Sequence, residues 1–160
     1  LTAFTKLKGQ ATLVYVNSTK KGELESLSPL VYGSLRAGNM GSNVPKVVLS
    51  TPDQSQVLAK MPYLRLSTPQ AFTTLQKIID QAQTGKLPKP ASDTTPIWLQ
   101  KGGTSSYYGH FAKIETVNGK ATLFITINKA GRTAQIPLAQ LSEGAQAYAK
   151  VMAAAATTAQ

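Results

Sequence analysis

His110 is the only histidine in the 160 residues, so an imidazole-rich metal site or a serine–histidine–aspartate relay would have to be built on it. It stands between Gly109 and Phe111 in a strand-like stretch, with no partner signal around it, and reads as an ordinary strand residue. The seven acidic residues are scattered. Glu23 and Glu25 are two apart, which on a helix puts them on different faces and leaves a paired-carboxylate site without local support. Residues 33–40 (GSLRAGNM) begin like a phosphate loop, yet Asn39-Met40 replace the lysine and hydroxyl that would hold phosphate and magnesium, so the stretch reads as a helix exit. Asn17-Ser18-Thr19 matches a glycosylation acceptor and also has the composition of a turn. Cysteine is absent, which excludes disulfides, thiolate metal sites and thiol exchange. No cofactor is expected. What remains is binding chemistry. Tyr107 and Tyr108, with Phe111 and Trp98, have the composition of an aromatic patch that grips extended peptides; the alternative is that Trp98 and Phe111 fill a small core. Lys101, Lys113, Lys120, Lys129 and Arg132 share this stretch and suit an acidic ligand or a phosphate backbone, or simply solvate exposed strand faces.

The elements that must position these residues are clearest over residues 96–150. Trp98 opens a short apolar run, Lys101-Gly102-Gly103 turns the chain, and residues 107–117 have strand composition. Asn118-Gly119 favours a two-residue hairpin turn with positive φ at both positions. Residues 120–129 alternate, with Ala121, Leu123, Ile125 and Ile127 on one face and Thr122, Phe124, Thr126 and Asn128 on the other, as in a half-buried strand. Ala130-Gly131 makes the next turn, and residues 133–138 form a last strand whose Pro137 suits an edge. Ser142 caps a helix with Glu143 at its positive end, and the alanine-rich tail is expected to fray beyond it.

In its order of Trp98, Ala112, Asn118-Gly119-Lys120, Gly131-Arg132, Ile136-Pro137-Leu138, Leu141-Ser142 and Tyr148, the stretch resembles the SLA-homology domain, whose prototype sits in a fungal endocytic adaptor. The resemblance implies a small SH3-like β-barrel and, from the fungal member, recognition of a short Asn-Pro-Phe-x-Asp peptide, with basic residues reading the acid. Carried onto this chain, it makes Lys129 and Arg132 the acid readers.

Upstream, residues 11–16 (ATLVYV) form an apolar run suited to a buried strand, followed by turn chemistry at residues 17–22. Leu24, Leu27, Leu30 and Val31 then repeat at helical spacing. Residues 46–50 give a second strand and residues 61–66 a third, with Pro62 at its start. Ser67 or Thr68 caps a helix with Pro69 in its first turn and a stripe of Phe72, Leu75, Ile78 and Ile79. This order resembles a reduced thioredoxin fold over residues 1–86, with Lys21-Gly22-Glu23-Leu24 in place of the cysteine motif, Pro29 at the helical proline and Met61-Pro62 at the cis-proline. The resemblance implies a redox-dead domain; a generic small α/β layer is the alternative. Residues 84–96, with three prolines, read as a linker.

The expectation is therefore an α+β protein: an N-terminal α/β domain at 1–83, a linker at 84–96, and an SH3-like barrel with a terminal helix at 97–160. A net charge of +10, carried by 10 basic and 4 acidic residues in 1–86 and by 7 and 3 in 87–160, makes loose attraction to polyanions a further property. The expected function is non-enzymatic binding or scaffolding, with Tyr107, Tyr108, Lys129 and Arg132 contacting a peptide or acidic polymer. The alternatives are nucleic-acid binding and a purely structural envelope role. Composition and the non-methionine start favour an exported protein, and no apolar run is long enough to span a bilayer.

Overall fold

The structure is a computed structural model that describes residues 7, 9–12, 14–87, 89, 94–103 and 105–159. It is an α+β chain. Among the described residues two short helices come first, α1 (Lys21–Leu24) and α2 (Pro29–Arg36), then the antiparallel ribbon β1 (Val47–Ser50) and β2 (Val57–Met61), then α3 (Tyr63–Leu66) and α4 (Pro69–Gln83). A second ribbon pairs β3 (Ile97–Leu99) with β4 (Ser106–Tyr108). The last sheet has the order β5 (His110–Val117), β6 (Lys120–Thr126), β7 (Thr133–Pro137), and α5 (Glu143–Thr158) closes the fold. The three sheets are small and separate, and none closes on itself. No helix among the described residues is long and apolar enough to cross a membrane.

Local chemistry explains the elements that sequence reading anticipated. Asn118 (φ 49°) and Gly119 (φ 74°) make the expected turn of the β5–β6 hairpin. Leu123 and Ile125 are fully buried, as the alternation requires, and Pro137 lies on the outer strand of its sheet. Ser142 caps α5, its Oγ accepting from Ala145 N, and Pro69 occupies the first turn of α4.

Other expectations are corrected. Among the described residues of 11–16 no strand forms; Val14 is 68% and Tyr15 78% exposed. In the β1–β2 ribbon the two faces are covered by helices, one by α4 with Leu75 and Ile79 and the other by α2 with Val31. Among the described residues of the run, Ala11 packs against the first cluster and Val16 against the second. The leucine stripe is split between α1 and α2, because Pro29 starts a new helix under the Ser28 cap. Residues 61–66 are not a strand: Met61 ends β2 opposite Val47, the first residue of β1, so no pairing partner remains, and Pro62 leads directly into α3. The one cis peptide bond among the described residues precedes Pro45 rather than Pro62. The tail does not fray at the first alanines; α5 runs to Thr158, as the high helix propensity of alanine allows.

The core sits in three clusters, and α2 touches two of them. Trp98, Leu123, Ile125, Ile136, Leu141 and Tyr148 form the largest, between the C-terminal strands and α5, with Leu30 of α2 packed against it. Val31, the next residue, belongs to the cluster under β2. On the same helix Gly33 faces the backbone of Thr95, where a Cβ would lie 2.3 Å from the carbonyl oxygen. Ser34 Oγ donates to Thr94 Oγ1 at 3.3 Å, and Lys60 Nζ donates to that same hydroxyl at 3.0 Å. Thr94 and Pro96, within the proline-rich stretch, are buried; residues 88 and 90–93 of that stretch lie outside the described residues.

Candidate functional site

Four residues were expected to meet a ligand, and the structure separates them into two environments. Tyr107 and Tyr108 are neighbours on β4, so their side chains leave opposite faces of the strand. Tyr107 is half-buried against the main core, and its hydroxyl accepts from Gln100 Nε2 at 2.8 Å. Tyr108 points outward and is 56% exposed. Trp98 is entirely buried, with Nε1 donating to the Gly109 carbonyl at 2.9 Å and its ring tilted against Tyr148 at 5.4 Å between centroids. It is therefore core. Phe111 is half-buried against that core, so the four aromatics do not form one surface patch.

Gly109 is the kink between β4 and β5: its φ is 158°, and a Cβ there would meet the Thr126 carbonyl oxygen at 2.6 Å. This close approach lets one run of chain pair first with β3 and then with β6, and it leaves Tyr108 at the end of the sheet where His110 pairs with Thr126. The β6–β7 connection rises from that same end. Ile127 N donates to Arg132 O at 2.8 Å, Gly131 N donates to Asn128 O at 3.1 Å, and Asn128 Oδ1 accepts from Ala130 N at 3.1 Å. These bonds, with Gly131 at φ 73°, hold a tight turn from which Lys129 and Arg132 project into solvent.

Ile127 belongs to this end of the molecule as well. Alternation places it inward with Leu123 and Ile125, yet it is 48% exposed, lying one residue beyond the end of β6 at Thr126. The turn signal at residues 128–131, immediately after it, was the available clue.

Among the described residues the charge at this end is unbalanced. Glu115 lies mid-strand on β5 and is paired with Lys113 at 2.7 Å, and Glu143 sits at the start of α5. Among the described residues neither Lys129 nor Arg132 makes an ion pair. His110 is exposed at the start of β5, and no group of three or more His, Cys, Asp or Glu side chains among the described residues could hold a metal ion. No family model, curated protein or solved structure matches this chain. The reading of the site therefore rests on its geometry: exposed Tyr108 and Ile127 at the end of the sheet from which the hydrogen-bonded turn of Lys129 and Arg132 leaves, two cations without an ion pair among the described residues.

A shallow depression of about 320 Å³ lies at the opposite end of the sheet, lined by Val117, Asn118, Lys120, Thr122, Gln135 and Pro137. A second, of about 200 Å³, lies between β5 and the last turns of α5.

Proposed function

We propose that this chain is a non-enzymatic binding protein whose C-terminal part recognises a peptide bearing an acidic residue. The observation that carries the reading is the pairing of exposed Tyr108 and Ile127 with Lys129 and Arg132, which have no acidic partner among the described residues. Apolar contact at a fixed surface supplies affinity, and uncompensated cations select the charge.

Residues 97–160 are read as an SH3-like barrel of the SLA-homology type. Gln100 bridges to Leu141, and Ser142 N donates to Leu99 O at 2.9 Å, which ties the β3–β4 ribbon to the chain leaving β7; such a return link is what a five-strand barrel needs. Residues 1–83 are then a thiol-less α/β support, and composition favours export of the whole.

A titration of the full chain, labelled with ¹⁵N, with an Asn-Pro-Phe-Ser-Asp peptide tests this. Saturable shifts at Tyr108, Ile127, Lys129 and Arg132 are expected, and the double variant K129A/R132A lowers affinity roughly 10-fold, as loss of about 1.4 kcal/mol of charge-assisted contact implies. The net charge of +10 favours a second reading, polyanion binding. In that case single-stranded DNA produces the shifts, and they weaken steeply between low and moderate salt.

A further inference from the structure

The outer strand of the three-stranded sheet has a free edge whose hydrogen-bonding groups can be assigned. Among the described residues β7 pairs only with β6. In an antiparallel ladder, facing residues alternate between pairs that exchange backbone hydrogen bonds and pairs that do not. Ile127 N donates to Arg132 O at 2.8 Å, so that pair is a bonded one. Following the register, Ile125 with Ala134 and Leu123 with Ile136 are bonded pairs, while Thr126 with Thr133, Phe124 with Gln135 and Thr122 with Pro137 are not. The backbone groups of Thr133, Gln135 and Pro137 therefore face away from β6. Pro137 has no N–H to offer, which agrees with its place in an unbonded pair. The edge thus presents two complete donor and acceptor sets, at Thr133 and Gln135, and both residues are exposed.

Open edges are ordinarily blunted by charge, proline or a covering element. Here proline acts at one end only, and no charged residue interrupts residues 133–137. The charges flank the edge instead. Lys129 and Arg132 precede it, and Lys120 lines the depression beside Gln135 and Pro137 at its far end. The carboxylate of Glu115 lies two strands away, since its partner Thr122 is in turn the partner of Pro137, and Lys113 already holds it.

We propose that β7 is a strand-addition site for an extended acidic peptide. The peptide backbone pairs with Thr133 and Gln135, its acidic residues meet Arg132 and Lys129 at one end and Lys120 at the other, and one side chain enters the depression of about 320 Å³. The proposal rests on the peptide-recognition reading above and adds to it a main-chain mode of binding. A second copy of this chain fits the edge less well, because each copy carries a net charge of +10 and would bring further cations to an edge already flanked by them.

The probe is acetyl-Asp-Val-Thr-Phe-Thr-Val-Asp-amide, titrated into the full ¹⁵N-labelled chain alongside two analogues. One analogue is N-methylated at Val, Phe and Val, the other at the two Thr residues. Only one of these amide sets faces a paired strand, so one analogue should lose affinity at least 10-fold while the other keeps it. Hydrogen exchange at Thr133 and Gln135 should slow on binding. The variant Q135P removes one outward N–H that no intramolecular bond uses, and it should weaken the unmodified peptide about 10-fold while the rest of the amide spectrum is retained. Equal binding by both analogues overturns strand addition and leaves peptide recognition standing, a result that needs no variant. Failure of this probe while the Asn-Pro-Phe-Ser-Asp peptide still binds also overturns it, whereas failure of both peptides overturns both readings. Concentration-dependent dimerisation abolished by Q135P would assign the edge to a second copy, and shifts along β7 with single-stranded DNA alone would assign it to a nucleic acid.

Discussion

Replacing Gly144 by alanine tests a close joint between α5 and the chain before α2. Gly144 is in the first turn of α5, and its N–H donates to the Glu25 carbonyl at 2.9 Å, so the positive end of the helix is satisfied by the chain between α1 and α2. A Cβ at this position would lie 2.3 Å from Leu27 O and 2.6 Å from Ser26 O, both backbone atoms that cannot rotate away. Restoring ordinary contact requires the two segments to part by about 1 Å, which stretches the 2.9 Å bond beyond useful range. The lost bond costs about 1 kcal/mol and the overpacking about 1–3 kcal/mol, while alanine returns about 1 kcal/mol of helix propensity. The net destabilisation is then about 1–3 kcal/mol, and at about 2–4 °C per kcal/mol a fall of roughly 4–8 °C in Tm is expected near the middle of that range. Thermal melts followed by circular dichroism read this directly. Gly22→Ala is the control, since a Cβ on that helical glycine meets nothing within 4 Å and should be neutral or stabilising by up to about 1 kcal/mol. A G144A melt at or above that of the parent would refute the close approach of α5 to residues 25–27.

Three further outcomes are expected. Burial pushes the Tyr148 hydroxyl above the ordinary tyrosine pKa of about 10, so the neutral ring contributes stability that is complete below that pH and is lost as pH rises through the folded-state value. Y148F should lack this alkaline loss, and the gap between the two urea midpoints at pH 8 should narrow or reverse near pH 11. Ser28 caps α2 by accepting from Val31 N at 3.2 Å and also donates to Gln54 O at 3.0 Å, so S28A should cost about 1–2 kcal/mol in chemical denaturation, concentrated in exchange protection of α2. W98F leaves the Gly109 carbonyl without its indole donor and opens space in a fully buried site, for which about 2–4 kcal/mol of destabilisation is expected; a midpoint within about 0.5 kcal/mol of the parent would show that the core re-forms around phenylalanine.

Sequence alone determined the features that depend on a residue and its near neighbours. Asn118-Gly119 dictates its turn through its own φ preferences, Ser142 and Pro69 mark helix starts through groups within one turn, and the alternation at residues 120–126 is a property of the strand itself. The cations at 129 and 132 could be singled out because they flank a recognisable turn. Tertiary structure decided whatever depends on which segments come together. Residues 11–16 have strand composition, but a strand needs a pairing partner from elsewhere in the chain, and the described residues of the run have none. Residues 61–66 lost theirs because Met61 already stands opposite Val47, where β1 begins. Trp98 could have been groove or core by type, and only the cluster around it made it core. Gly33 and Gly144 look like ordinary helix-weakening glycines until the carbonyls of Thr95 and Leu27 are found against them. Ile127 has the right parity for the interior and is exposed because the sheet stops one residue earlier. Propensity and turn chemistry act over a few bonds, whereas burial, pairing and close approach depend on segments far apart in the chain.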